Sequence, residues 1–133
     1  GGRRLRRMAR EIIATDDAPR SPLFSQAVRA GATIHVSGMV GIDSRTGDLP
    51  EGIQDQTRQA IRNCETVLTA GGSSLDDVTM VTVLIANPAD FAEMNEAYAQ
   101  TIGEPPPARA AARLGPELPG IRVSITMTAH VED

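Results

Sequence analysis

The sequence predicts an α+β fold: one sheet with two helices on one face, in the order β-β-β-α-β-α-β-β. Three observations carry this reading. Ile53, Ala60, Ile61, Cys64, Val67 and Leu68 recur at helical spacing, and so do Phe91, Met94, Tyr98 and Ile102. Between and around them lie strand-like runs. The clearest is residues 121–131, where Ile121, Val123, Ile125, Met127, Ala129 and Val131 alternate with Arg122, Ser124, Thr126, Thr128 and His130. Two helices cover only one face of such a sheet, so the other face must tolerate water or meet another copy of itself in a closed oligomer.

Taken in order, residues 11–15 (EIIAT) form a short strand and residues 16–22 a turn-rich connector with two prolines. Residues 24–28 and 32–36, separated by a turn at Gly31, read as a hairpin ended by Ser37 and Gly38. Glycine there removes the Cβ that would keep a ligand from the backbone, although a plain strand-terminating turn has the same composition. A loop at 41–50 (GIDSRTGDLP) leads into a helix of about five turns that starts at Ile53 and stops at Gly71-Gly72. Residues 78–86 (VTMVTVLIA) are apolar on both faces in their second half, which predicts a central strand covered on both sides. Asn87-Pro88 caps the second helix, with Asp90 at its third position, Phe91, Met94, Tyr98 and Ile102 facing inward and Asn95 beside that stripe.

The prolines at 105, 106 and 107 cannot continue a helix, and they deliver residues 108–112 as an extended segment with Arg109 among alanines. Gly115, Pro116, Pro119 and Gly120 then turn the chain into the last strand. A hairpin of these two segments would lay the Arg109 guanidinium beside the hydroxyls of Ser124, Thr126 and Thr128. That setting suits a small molecule bearing a carboxylate. The alternative is that Arg109 is an ordinary surface strand residue.

A chain of 133 residues fits one domain with a real core, expected at residues 11–133. With no Trp, one Tyr and two Phe, that core must be built from aliphatic side chains, and the aromatic platforms of single-strand nucleic-acid binding are nearly absent. All thirteen basic residues are arginine, which excludes a lysine Schiff base or Walker lysine. Five of them lie in residues 1–10, read as a basic extension or a leftover of expression. The remaining eight face seventeen acids, so residues 11–133 carry −9 and repel nucleic acid. The run of apolar residues needed for a membrane span or a secretory signal is missing, so a cytoplasmic protein is expected. The lone Cys64 reads as a small buried hydrophobe. With only Cys64, His35 and His130 as soft or imidazole ligands, no metal is expected, and no cofactor.

Several strings, in order, carry a resemblance: IIAT, SPLFSQAVRAG, VSGMVGID with RTGDLP, DQTRQAIRN, AGGSSLDDV, VTVLIANPADFAEMNEAY, and PPPAR with LP before the last strand. From about Ile12 to Val131 the chain resembles the Rid family, also called the YjgF family or reactive intermediate deaminases. The resemblance implies a chorismate-mutase-like α+β fold and a homotrimer with sheets inward, helices outward and a small-molecule pocket between adjacent subunits. It implies hydrolysis of 2-imino acids, or their enamine tautomers, to 2-oxo acids and ammonia. The arginine that clamps the substrate carboxylate in typical members matches Arg109. Ser37, Gly38 and Asn95 match further pocket positions, and backbone groups at Gly38 and near Ala110 are candidates for holding the imine carbon near a water.

Departures stand beside these matches. Phe24 occupies the region of a usual tyrosine, Ala111 stands where many members carry a cysteine, and the connection before PPPAR is shortened. The acidic residue of the last strand aligns with Thr126. A threonine hydroxyl orients water but is no general base at neutral pH. The resemblance therefore implies a deaminase with weak or altered activity, or a trimeric small-carboxylate binder that has lost catalysis. A ribonuclease reading gains little from an acidic body without a histidine pair at a recognisable spacing.

Overall fold

The structure, a computed structural model, describes residues 9–132; most of the basic segment expected at 1–10 lies outside them. The elements are β1 (Glu11–Ile13), β2 (Ala27–Ala30), β3 (Thr33–Val40), α1 (Ile53–Ala70), β4 (Val78–Ile85), α2 (Phe91–Thr101), β5 (Ala108–Arg113) and β6 (Val123–His130). Their order is the expected one. They build a single six-stranded sheet, β1-β2-β3-β6-β4-β5, antiparallel throughout except for the parallel pair β4–β5.

Alternation decides the faces. Ile34, Val36 and Met39 of β3, Val81, Val83 and Ile85 of β4, and Val123, Ile125, Met127 and Ala129 of β6 are buried under the helices. The helix α1 supplies Ile53, Ala60, Ile61, Cys64, Val67 and Leu68 to the same core and packs on β3 and β6, with α2 alongside it. Its last turn closes when Gly71 N–H donates to the Val67 and Leu68 carbonyls and Ser73 N–H to that of Leu68. The opposite face carries His35, Gly38, Met80, Thr82, Leu84, Ser124, Thr126 and Thr128, none of them buried. Among the described residues no helix is long and apolar enough to cross a membrane.

Three buried amides peg the loops. Gln26 Nε2 donates to the carbonyls of Thr15, Ala18 and Pro19 while its Oε1 accepts from Thr15 N–H. Gln56 Nε2 donates to Pro50 and Gly120, and its Oε1 accepts from Arg122 N–H. Asn63 Nδ2 donates to Val40 and Ile42. Each amide sits where loop backbone would otherwise be buried without partners.

Several expectations need correction. β5 does not form a hairpin with β6: α2 crosses over the sheet between β4 and β5, so β5 pairs parallel with β4, and both edges of β6 are taken by β3 and β4. Ser37 and Gly38 do not end their strand; the register shifts between Val36 and Met39, so the pair forms a bulge and β3 runs on to Val40. The strand expected at 24–28 begins only at Ala27, and Phe24 lies before it in an isolated bridge with Ser21. In the single chain β4 is covered on one face only, with Met80, Thr82 and Leu84 half-buried on the other. Phe91 does not face the core. It is 42% exposed, at the start of α2 directly after the helical turn Pro88–Asp90 that the Asn87 side chain caps on Ala89 N–H.

Candidate active site

Arg109 sits near the start of β5, opposite Val81, and therefore points to the helix-covered side of the sheet. There α2 presents Phe91, Asn95 and Tyr98, spaced by four and three residues and so stacked along one stripe. Asn95 Oδ1 accepts from Arg109 Nη1 at 2.7 Å. The guanidinium carbon lies 4.9 Å from the Tyr98 ring centre and 5.8 Å from that of Phe91. Two ring faces and a neutral amide hold the cation without neutralising it. Among the described residues no carboxylate pairs with Arg109.

Tyr98 is buried and its hydroxyl has no hydrogen-bond partner among the described residues. Burial pushes its phenol above the ordinary value, against a smaller pull downward from the Arg109 charge. The phenol thus stays neutral beneath the guanidinium. A planar fork braced from one side keeps its remaining N–H groups for an incoming anion, and a carboxylate matches that fork in two places.

The other expected residues gather elsewhere. At the β3 bulge a Cβ on Gly38 would stand 2.9 Å from Ser124 Oγ and 3.5 Å from Thr126 Oγ1, so glycine keeps the space in front of those hydroxyls open. Ser37 donates its hydroxyl to the Ser25 carbonyl at 2.6 Å, which ties the loop carrying Phe24 to the bulge and leaves that oxygen only its acceptor lone pairs. Phe24 is half exposed beside this tie. Thr126 pairs with Thr82, and Thr82 with Ala110, so Thr126 and Ala110 share the open face. Ala111 pairs with Val83 and lies on the Arg109 side.

The structure therefore brings the predicted residues into two groups. Arg109, Asn95 and Ala111 lie on the helix side at the sheet edge; Gly38, Thr126 and Ala110 lie on the open side, with Ser37 and Phe24 at the bulge. Two strand spacings, about 10 Å, and the thickness of the sheet separate Thr126 from the Arg109 backbone. Within the single chain the two groups do not meet. Phe91 and Tyr98 are expected in the inward stripe of α2, not as partners of Arg109; the F-x-x-x-N-x-x-Y spacing is the signal that sets their rings beside Asn95.

Away from these groups, Cys64 is fully buried, its thiol pushed up by burial, with Sγ 3.5 Å from the Ile125 carbonyl. Thr33 pairs with His130 and Thr128 with His35, so the two histidines become diagonal neighbours on the open face, a proximity that their separation in sequence hid. Among the described residues no group of three His, Cys, Asp or Glu side chains is placed to hold a metal.

Residues 15–131 match the model of the Endoribonuclease L-PSP family, which is the YjgF/Rid family. The chain belongs to that family. Among Rid relatives it is similar to a RutC family protein of Pyrococcus horikoshii, 40% identical over 126 residues that cover 92% of this chain and 99% of the relative. It is also similar to the Mus musculus protein named 2-iminobutanoate/2-iminopropanoate deaminase, 38% identical over 122 residues that cover 90% of each. The crystal structure of RidA from the Antarctic bacterium Psychrobacter sp. superposes with a TM-score of 0.85 at 36% identity, over 91% of this chain and 99% of that one. The expected α+β Rid fold is thus the observed one.

Proposed function

We propose that this Rid protein is a deaminase that hydrolyses 2-imino acids to 2-oxo acids and ammonia, at a site that a homotrimer completes. The observation that carries the reading is Arg109: a cation backed by Tyr98 and Phe91, oriented by Asn95, and without a carboxylate partner among the described residues. The name of the mouse relative supports the substrate class. The separation of the Arg109 group from the Gly38–Thr126 group supports a shared crevice, since a neighbour's open face can supply what this protomer's β5 edge lacks.

In this mechanism Arg109 grips the carboxylate and Asn95 keeps the fork turned toward it. Water adds to C2 of the imine and the nitrogen takes up a proton. The resulting carbinolamine loses its C–N bond: the hydroxyl oxygen gives up its proton as the C2=O bond forms, and ammonia leaves. No electrons enter or leave. Space at Gly38 and the Thr126 hydroxyl orient the water, with backbone groups near Ala110 at the imine carbon.

The test is ammonia release from enzymatically generated 2-iminopropanoate. Replacing the fork by a point charge in Arg109→Lys should lower kcat/KM by about 10- to 100-fold, the worth of roughly 1.5–3 kcal/mol for hydrogen bonds to a charged group. Undiminished turnover in that variant would overturn the assignment.

One observation favours a second reading, a trimeric small-carboxylate binder without catalysis: the open-face hydroxyl is Thr126, where the resemblance places an acid. A wild type that binds 2-oxobutanoate but releases no ammonia, and gains turnover on Thr126→Glu, would decide for it.

A further inference from the structure

Arg109 has a companion. The register sets Arg109 opposite Val81, Ala111 opposite Val83 and Arg113 opposite Ile85, all of them buried, so the three β5 residues share one side of the edge strand. Arg113 is exposed and makes no hydrogen bond or ion pair with the described residues. It lines a surface cleft of about 510 Å³ with Ala86, Leu114, Pro116 and Leu118; Glu117 lines the same cleft without pairing with it. Between the two arginines stands only the exposed methyl of Ala111.

The spacing defines what would fit. Four residues of strand put the two Cα atoms about 13 Å apart. Arg109 leans over Phe91, the first residue of α2, which follows the loop from the end of β4, the strand end that Arg113 pairs with. Charge-assisted contacts of about 2.8 Å at each end leave room for a carbon chain of roughly four or five atoms with an acid group at both ends.

We infer that Arg113 is a specificity-determining residue of this site and that the preferred substrates are 2-imino acids carrying a second carboxylate at the far end of a short chain. This rests on the carboxylate-clamp reading of Arg109. One cation holds the carboxylate next to the imine and the other holds the distal one. A monocarboxylic imine leaves the second arginine hydrated and gains nothing from it.

The experiment compares 2-iminoglutarate with 2-iminopropanoate. Each is made in place by a flavin amino-acid oxidase, which passes the electrons of amine oxidation to oxygen, with catalase removing the peroxide. Wild type should show the higher kcat/KM with the dicarboxylic imine. In Arg113→Ala the ratio of the two kcat/KM values should fall at least tenfold, and Arg113→Lys should recover part of it. Calorimetric binding of 2-oxoglutarate against 2-oxobutanoate should show the same loss of preference. Equal changes for both substrates in Arg113→Ala, or an unaltered ratio, would overturn the inference while leaving the deaminase reading intact. If no imine is turned over, the deaminase reading fails, and the calorimetric ratio alone decides whether Arg113 selects diacids.

Discussion

Arg109 keeps its charge available because its neighbours are aromatic faces and an amide, not acids. The Tyr98 hydroxyl contributes nothing to that support: it is buried without a partner, and an unpaired buried hydroxyl costs about 1–3 kcal/mol. Tyr98→Phe should therefore leave thermal stability unchanged or raise it and keep oxo-acid affinity. Tyr98→Leu, which removes the ring face, should weaken 2-oxobutanoate binding severalfold, about 0.5–1 kcal/mol or more for a cation on an aromatic face. Calorimetry on the two variants separates ring from hydroxyl. Cys64 shows the opposite case, a group silenced by its surroundings. Burial raises its thiol above the ordinary 9.0, so the neutral form is favoured on folding. Its contribution to stability is intact below about pH 9 and declines as pH rises beyond that value. Alkylation by iodoacetamide at pH 8 should follow global unfolding, with native protein unlabelled over hours.

Among the elements, close backbone approach separates two glycines with different duties. A Cβ on Gly41 would lie 2.7 Å from the Gln56 carbonyl oxygen and 2.8 Å from its Cα, backbone atoms of α1 that cannot rotate away. Gly41→Ala must push β3 and α1 apart and should cost about 2–3 kcal/mol, read as a lower urea midpoint at unchanged slope. Gly38→Ala meets only the rotatable Ser124 and Thr126 hydroxyls and should cost roughly 1 kcal/mol, yet it fills the space before Thr126 and should depress turnover more than stability. Element order was legible because the change of period at Ile53, and its return at Val78, does not depend on which strands pair. Pairing was not legible. Alternation in β6 says that Ser124, Thr126 and Thr128 share a face, but nothing of which strands flank it; a β5–β6 hairpin is the simplest expectation, whereas the crossover through α2 binds β5 to β4. The same limit hides the division of the candidate site: the sequence singles out Arg109 and Thr126 one by one as candidates, while the face each occupies follows only from register. The buried amides Gln26, Gln56 and Asn63 left no pattern, since a loop peg is recognised by the carbonyls it reaches.

At the scale of the molecule, the uncovered sheet face is what an assembly would use. If three copies close over it, light scattering should give the mass of three chains. Leu84→Arg, placed on that face and so on the side of the sheet opposite to Arg109, should yield a smaller species that has lost imine turnover with Asn95 and Arg109 untouched. Folding is bound to the same topology. β6, the strand made latest, is the one that joins β1-β2-β3 to β4-β5; before it emerges the two parts share no strand pairing. Non-local pairing of this kind is slow and is paid in loop entropy first. A nascent chain halted before Val123 should thus remain protease-sensitive on the ribosome, and a stop codon anywhere up to that point should cost the cell the entire domain, never a working fragment.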